Sequence, residues 1–246
     1  MKLPRLLAAA ALTLVVGQAQ AASLTFSIGV REASSTTTIG ANGGATAGIE
    51  FIDLDLHPVP LDGSWHKVTI DLPTGTVTPF AGTTADGILT SSNGYGVLEM
   101  IRIRNTAGIT APIQIFLDDL VHTEPNGNAT HLGWEGLPLA TEHIFQEPNF
   151  SGSTAGNLLA GGTSLVTDSM ANTGSQSYEV KMQFVDATTT RWVRLTTFNT
   201  VSGGNPTIRL DAEISFWVKG TPIPEPASLT LAGIVACGLA VVRRRG

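Results

Sequence analysis

Apolar and polar side chains alternate along most of the chain between residues 23 and 220. In the first run, 24–30, every second residue is Leu, Phe, Ile or Val, and those between them are Thr, Ser and Gly. The same period recurs at 68–72, 101–104, 113–117, 179–184 and 214–218, and clusters of Gly, Asn, Asp, Pro and Thr bound the runs. Only 153–159 is compatible with a short helical turn. A period of two is typical of β-strands, so the sequence predicts strands separated by turns.

Strands with one polar face each predict an all-β fold, an antiparallel β-sandwich in which two sheets bury their apolar faces against each other. The favoured organisation places one sandwich over residues 22–221. The alternative is a pair of small sandwiches, 22–123 and 129–221, joined near 124–128. One sandwich is favoured because neither half carries enough strands to cover both faces of a core.

Two groups of residues give the body a resemblance to carbohydrate-binding-module-like jelly rolls. A strand that opens with Gly-Ser-Trp at 63–65 and a later one that ends in Leu-Asp-Asp at 117–119 resemble the latter part of that fold. Residues 145–220 resemble its first part, so the order is reversed. A circular permutation accounts for this order if 216–218 lies beside 24–26, since the termini of compact domains are often close together.

The first 21 residues have the composition of a secretory signal peptide. Lys2 and Arg5 precede an uncharged apolar stretch at 6–16, which is too short to span a bilayer as a stable helix. Signal peptidase requires small residues at the third and first positions before the cleavage site, and these are Ala19 and Ala21. Cleavage would then make Ala22 the first mature residue. We therefore expect a signal helix, export through Sec-type machinery and cleavage by signal peptidase.

The C-terminal segment, 222–246, combines three features in a fixed order. Prolines at 222, 224 and 226 disfavour helix, residues 227–242 carry no charge, and three arginines follow directly. The uncharged stretch predicts a short transmembrane helix whose arginines reach the lipid headgroups. With an exported N-terminus, those arginines lie on the cytoplasmic side, as the positive-inside tendency requires.

This order resembles the PEP-CTERM sorting signal. The resemblance is carried by Pro224, Glu225, Pro226, Arg243, Arg244 and Arg245. It implies that an exosortase, a membrane-embedded cysteine-type processing enzyme, recognises Pro-Glu-Pro and removes the helix, typically in a Gram-negative host with an exopolysaccharide or biofilm system. It also implies a membrane-anchored precursor and a mature protein at the cell surface or outside the cell. An ordinary tail anchor is the alternative.

The charge distribution argues against nucleic acid as a partner. The chain has a formal charge of −6, and five of its basic residues lie in the two terminal segments. Between residues 23 and 226, nine Lys and Arg face twenty Asp and Glu, a formal charge of −11, which repels phosphate backbones. The single cysteine, Cys237, excludes an internal disulfide and lies in the segment that an exosortase would remove.

The sequence contains no familiar catalytic motif, and we expect a body that is not an enzyme. There is no GxSxG, HExxH or Walker sequence, and the five histidines lack metal-ligand spacing. The rival interpretation is an extracellular glycan hydrolase or lyase, which needs two carboxylates at a set separation. Its candidate carboxylates are Glu50, Asp53, Glu99 and Asp118. Arg191 and Arg194 are expected to pair with carboxylates of this acidic body.

Two binding interpretations concern the surface of the body. An exposed platform of Trp134, Trp217 and Tyr95 would let sugar rings stack on it, as in a lectin-like module. Trp134 is placed there because it lies in a glycine-rich loop, and Trp217 because the alternation directs it away from the core. The jelly-roll resemblance implies a structural calcium ion, with Asp118 and Glu147 as its ligands. No other cofactor is expected.

Together these features predict an exported, exosortase-processed β-sandwich protein of the cell surface or extracellular matrix. The body is expected to be structural or associated with exopolysaccharide. Its expected partners are exosortase, signal peptidase, the export machinery, the membrane before processing, and exopolysaccharide.

Overall fold

The computed structural model describes residues 22–32, 48–197 and 205–222, and within these ranges the fold is all-β, with a single 3-10 turn at Ala155–Asn157. The predicted signal helix and the predicted transmembrane helix at 227–242 lie outside the described residues. The strands are β1 (Ser23–Glu32), β2 (Ile49–Pro60), β3 (Trp65–Asp71), β4 (Val77–Ala81), β5 (Tyr95–Arg104), β6 (Ile113–Thr123), β7 (Ala129–Leu132), β8 (Thr163–Thr167), β9 (Ser177–Met182), β10 (Trp192–Thr196), β11 (Thr207–Arg209) and β12 (Glu213–Pro222).

These strands form two antiparallel sheets of six. Sheet A has the order β10-β5-β1-β2-β4, and β11 also pairs with β5. Sheet B has the order β3-β12-β6-β9-β8, and β7 also pairs with β6. The prediction of an antiparallel β-sandwich is therefore confirmed.

One apolar core fills the space between the sheets and takes side chains from both of them. Strands from both halves of the chain share each sheet, because β10 and β11 lie on β5 while β9 lies on β6. This pairing disagrees with the alternative of two sandwiches at 22–123 and 129–221, because strands of one segment pair with strands of the other. The expected placement of 216–218 beside 24–26 is also wrong, because β12 pairs with β3 and β6. The two segments face each other across the core instead, with the rings of Phe26 and Phe216 6.3 Å apart.

The first and last residues of the sandwich lie close together at one end of the fold, which we call the base. The Leu61 N–H donates to the Ala22 carbonyl (2.7 Å), and the Gly63 N–H donates to the Gly220 carbonyl (3.1 Å). A Cβ atom at position 220 would press against the Leu61 side chain, which would have to shift, so glycine favours this close approach. The turn between β2 and β3 therefore holds the start of β1 and the end of β12 together. The opposite end, where β1 ends and β5 begins, we call the tip.

The outer faces of the two sheets are covered to different extents along their strands. In sheet B, the edge strand β3 alternates between buried Val68 and Ile70 and exposed Lys67 and Thr69, whereas the central strand β6 is buried at most positions. In sheet A, all residues of β1 after Ser23 are buried, and β5 is buried at every position except its two ends. In β1 and β5 of sheet A, the outward-facing side chains are therefore buried by neighbouring side chains on the outer face.

Candidate functional site

Trp134 lies in the core. Its side chain is 1% exposed and stacks on Tyr178, with ring centroids 5.4 Å apart and an angle of 20° between the planes. The backbone at Trp134 is left-handed, with φ of +58°. The prediction of an exposed Trp134 is wrong, because the apolar surface of an indole is stabilised by burial whichever loop carries it.

Trp217 and Tyr95, the other two residues of the expected platform, lie in different sheets. Trp217 is half-buried on the outer face of sheet B, between Lys67 of β3 and Asp118 of β6 in register. Tyr95 begins β5 in sheet A, and its hydroxyl donates to the carbonyl of Pro125 (3.3 Å). The three aromatic residues therefore do not form one stacking surface.

Asp118 fastens a loop to the outer face of sheet B. Its carboxylate is fully buried and accepts backbone N–H groups of Asn172 (2.7 Å), Asp119 (2.8 Å) and Thr173 (3.3 Å). Burial raises the pKa of Asp118 from its usual value, although these hydrogen bonds act in the opposite direction. The strand register shifts at this point, so that two successive residues of β6 face outwards.

Asp119 is the second of these residues, and it holds the same loop through side chains. Its backbone is left-handed, with φ of +49°. Its carboxylate accepts from Thr173 Oγ1 (2.6 Å), Asn172 Nδ2 (2.7 Å) and the ring of His131 (2.7 Å). Burial alone would raise the pKa of Asp119, but these hydrogen bonds outweigh it and hold the pKa below its usual value.

The expected calcium ligands do not gather at one place with further carboxylates. Asp118 directs its oxygens at backbone N–H groups, whereas Glu147 is exposed in the 146–150 segment. Within the part of the chain that the structure describes, no cluster of three or more His, Cys, Asp and Glu side chains could hold a metal ion. The role of Asp118 in these residues is that of an acceptor for the loop at 172–173.

The other carboxylates of the hydrolase interpretation also hold structural partners. Glu50 is fully buried near the tip, and its Oε1 accepts the N–H groups of Asp86 (2.7 Å) and Gly87 (3.2 Å). Its Oε2 has no partner among the described residues, and burial raises its pKa. Asp53 pairs with His57 (3.0 Å). Glu99 binds arginines on the outer face of sheet A.

That outer face carries the densest group of charged and aromatic side chains in the described structure, which we call the arginine–aromatic face. Its residues are Arg31, Phe51, Asp55, Phe80, Glu99, Arg102, Arg104, Trp192 and Arg194. The rings of Phe51, Phe80 and Trp192 contact one another at centroid distances of 4.6 to 5.7 Å. The Arg102 guanidinium lies 5.0 Å from the Trp192 ring, within the range of a cation–π interaction.

Each of two carboxylates on this face is shared by two arginines. Arg31 binds Glu99 in a bidentate manner at 2.9 and 3.0 Å, and Arg194 binds the same carboxylate. Asp55 is shared in the same way by Arg102 and Arg104. Arg102 and Arg194 lie directly opposite each other on β5 and β10, where like charges are unfavourable. The expected pairing of Arg194 with a carboxylate is confirmed, as is that of Arg191, which binds Asp186 at 2.8 Å.

A second feature lies at the tip, where a cavity of about 490 Å³ opens between β6, β7 and the start of β11. His122, His131 and His143 contribute to its walls. Burial lowers the pKa of His122 and of His143, so both imidazoles are neutral at pH 7. Ile144, also in the wall, has a left-handed φ of +64°, which is strained for a β-branched residue. Glu124 also lies in the wall, so the cavity combines neutral imidazoles with one carboxylate.

Comparison with known proteins does not add to these observations: no family model, no curated protein and no solved structure matches the chain. Within residues 22–32, 48–197 and 205–222, no helix has the length and apolar character needed to cross a membrane. The residues of the predicted sorting signal, 224–226 and 243–245, lie outside these ranges, as do Ala19 and Ala21 of the predicted cleavage site.

Proposed function

We propose that this chain is an exported, exosortase-processed protein whose β-sandwich is displayed at the cell surface or in the extracellular matrix. The supporting observation is the base of the sandwich. The chain enters the fold at Ala22 and leaves it at Pro222, and the single turn at 61–63 contacts both ends. Both predicted membrane-directed segments therefore join the body at the same end.

This arrangement suits a precursor held in a membrane at both of its ends. The predicted signal helix would precede β1, and the predicted transmembrane helix at 227–242 would follow β12. With both at the base, the body lies on one side of the bilayer and directs its tip away from it. The strands begin one residue after the proposed signal cleavage site and end two residues before Pro224. Removal of both segments would therefore leave all twelve strands in place.

The proposed role of the body is structural or exopolysaccharide-associated, without catalysis. This role is favoured because the buried carboxylates of the described residues serve as acceptors for loops and arginines. Asp118 fastens the loop at 172–173, Glu50 fastens the loop at 86–87, and Glu99 binds two arginines. The likeness to a carbohydrate-binding-module-like jelly roll belongs to the same proposal, and two six-stranded antiparallel sheets are compatible with it.

Processing of the sorting signal provides the test. The variant carries Pro224→Ala, Glu225→Ala and Pro226→Ala together, and Glu213→Gln, an exposed change at the start of β12, is the matched control. Both are expressed in the native host beside the unaltered chain, and the cells are fractionated. We expect the control to yield the short mature form outside the cytoplasm and the triple variant to accumulate, unprocessed, in the inner membrane. Normal maturation of the triple variant would contradict the proposal.

A further inference from the structure

One end of the arginine–aromatic face contains a pocket of about 160 Å³. Its walls are Arg31, Glu99, Phe150, Ser151, Arg194 and Thr196. Arg31, Arg194 and Thr196 extend from the outward side of β1 and β10, and Glu99 lies on β5 between those strands. Phe150 and Ser151 come from the segment that follows Glu147. The pocket therefore combines rigid strand positions with one exposed aromatic side chain, Phe150, which is 44% exposed.

The pocket has more positive than negative charge. Two guanidiniums share the single carboxylate of Glu99, whose side chain is completely buried. The side chains of Arg31 and Arg194 are only 10% and 17% exposed, so water screens little of the excess charge. Burial lowers the pKa of Arg194, and the neighbouring charge of Arg31 lowers it further. The excess is conspicuous in a body that otherwise has a formal charge of −11.

The described walls of the pocket hold one carboxylate for two arginines. Among the described residues, Arg194 forms an ion pair with Glu99 alone. The segments 33–47 and 198–204, which follow β1 and β10 in the chain, contain no Asp or Glu. The Arg194 Nε–H is buried and has no acceptor in the described structure. A buried donor without an acceptor is costly, and an anion in the pocket would provide one.

We infer that this pocket binds the carboxylate of an acidic sugar unit in an extracellular polysaccharide. The inference rests on the proposed function and names the class of its ligand. A guanidinium pairs with a planar carboxylate through two parallel hydrogen bonds, which neutral sugars cannot form. The exposed ring of Phe150 offers an apolar surface for the face of the same sugar.

Binding of defined oligosaccharides to the full chain, purified in mild detergent, tests the inference. The probe is a galacturonic acid hexamer, and its fully methyl-esterified form keeps the ring and length but removes the charge. We expect calorimetry to show that the acid binds at least about tenfold more tightly than the ester. We also expect its affinity to fall steeply as sodium chloride rises from about 50 to about 500 mM. Equal affinity for acid and ester would overturn the inference.

Variants locate the binding. Arg194→Gln should weaken the hexamer by about tenfold, since it removes one charged hydrogen-bond donor group. Phe150→Ala changes an exposed residue, keeps the fold and should weaken the hexamer about threefold. Arg209→Gln, an exposed arginine paired with Asp211, is the matched control and should leave affinity unchanged. Unchanged binding in both Arg194→Gln and Phe150→Ala would overturn the inference.

Inorganic phosphate distinguishes a polysaccharide site from a general anion site. We expect millimolar phosphate to compete weakly with the hexamer. Binding of phosphate without binding of the hexamer would overturn the assignment to an acidic sugar. These measurements do not depend on export or processing. Failure of the hexamer to bind, with normal maturation in cells, would therefore contradict this inference alone, whereas the reverse result would contradict the proposed function alone.

Discussion

The outer faces of the two sheets are built differently, although their strands share the same alternating pattern. On sheet B the outward positions of the edge strand β3 are exposed, and the central strand β6 buries Asp118 and Asp119, which hold a loop. On sheet A the outward positions of β1 and β5 are buried under the arginine–aromatic face. Alternation alone therefore does not tell whether a polar position meets water or a partner side chain.

The difference has a physical origin in the residues at those outward positions. Sheet A places Phe51 and Trp192 beside Arg102, and the long guanidinium side chain covers apolar surface while its charge pairs with Asp55. Sheet B places Lys67 and Asp71 on its edge strand β3, where both remain in water. Each buried charge on sheet A needs an oppositely charged partner. The stability of the sheet is therefore sensitive to substitution of any one partner.

The largest expected effect is the loss of the carboxylate that holds two of the buried guanidiniums. Glu99→Gln removes the buried carboxylate that Arg31 and Arg194 share, and breaking a buried pair costs about 3–5 kcal/mol. We expect the melting temperature of the full chain, followed by circular dichroism, to fall by roughly 8 °C or more. Asp211→Asn removes an exposed partner of Arg209 and should leave the melting temperature unchanged. Similar melting temperatures for the two variants would contradict the claim that the buried ion pairs of Glu99 stabilise the fold more than the exposed pair of Asp211.

A smaller effect is expected from the tryptophans on the two outer faces. Trp192→Ala removes edge-on contacts with Phe51 and Phe80 and the cation–π contact with Arg102, at a cost of about 2–3 kcal/mol. Trp217→Ala on sheet B should cost about 1 kcal/mol, because no aromatic ring of the described residues packs against it. Chemical unfolding of both variants measures the difference. A larger loss for Trp217→Ala would reverse the comparison of the two faces.

Sheet B should show its own sensitivity in acid, at the loop held by Asp119. A carboxylate with a lowered pKa contributes stability that is complete above its unfolded pKa of about 3.9 and is lost as pH falls through the folded value. The neighbouring Asp118 has a raised pKa and acts in the opposite direction, while His131 and Glu135 are the other ionisable side chains nearby. We expect Asp119→Asn to cost about 1–2 kcal/mol at pH 7 and much less at pH 3. Melting curves at both values check this, and an equal loss at both would contradict it.

The smallest effect is expected at Glu50. Its charge is unfavourable, since burial raises the pKa and Oε2 has no partner among the described residues. Glu50→Gln keeps an oxygen for the N–H groups of Asp86 and Gly87. We expect a change within about 0.5 kcal/mol at pH 7, measured by chemical unfolding. A loss as large as that of Glu99→Gln would show that Oε2 has an essential partner.

Alternation located six of the twelve strands, β1, β3, β5, β6, β9 and β12, and the inner face of the sandwich could be predicted from sequence. Leu24, Phe26, Ile28 and Val30 fall on the core face as the period of two requires. Strand order could not be predicted, because alternation carries no information on which strand lies beside which. A circular permutation predicted residues 216–218 beside 24–26, and they lie across the core instead.

The site residues were harder to predict, because their roles depend on contacts between distant segments. Trp134 follows a glycine, but its exposure depends on Tyr178, 44 positions later in the chain. Asp118 was expected to bind calcium, and it accepts from the loop at 172–173. The arginine–aromatic face did leave a signal in Arg102 and Arg104, which alternate with core isoleucines. Basic residues concentrated on two strands of an acidic body indicate a shared face.

Intact mass spectrometry of the protein isolated from fractionated native cells tests the central claim most directly. The account predicts a species outside the cytoplasm whose mass corresponds to a start at Ala22 and an end within the Pro-Glu-Pro sequence at 224–226. Such a species keeps the whole sandwich and loses Cys237. A full-length or merely signal-cleaved chain, still carrying residues 227–246 and retained in the inner membrane, would contradict the claim.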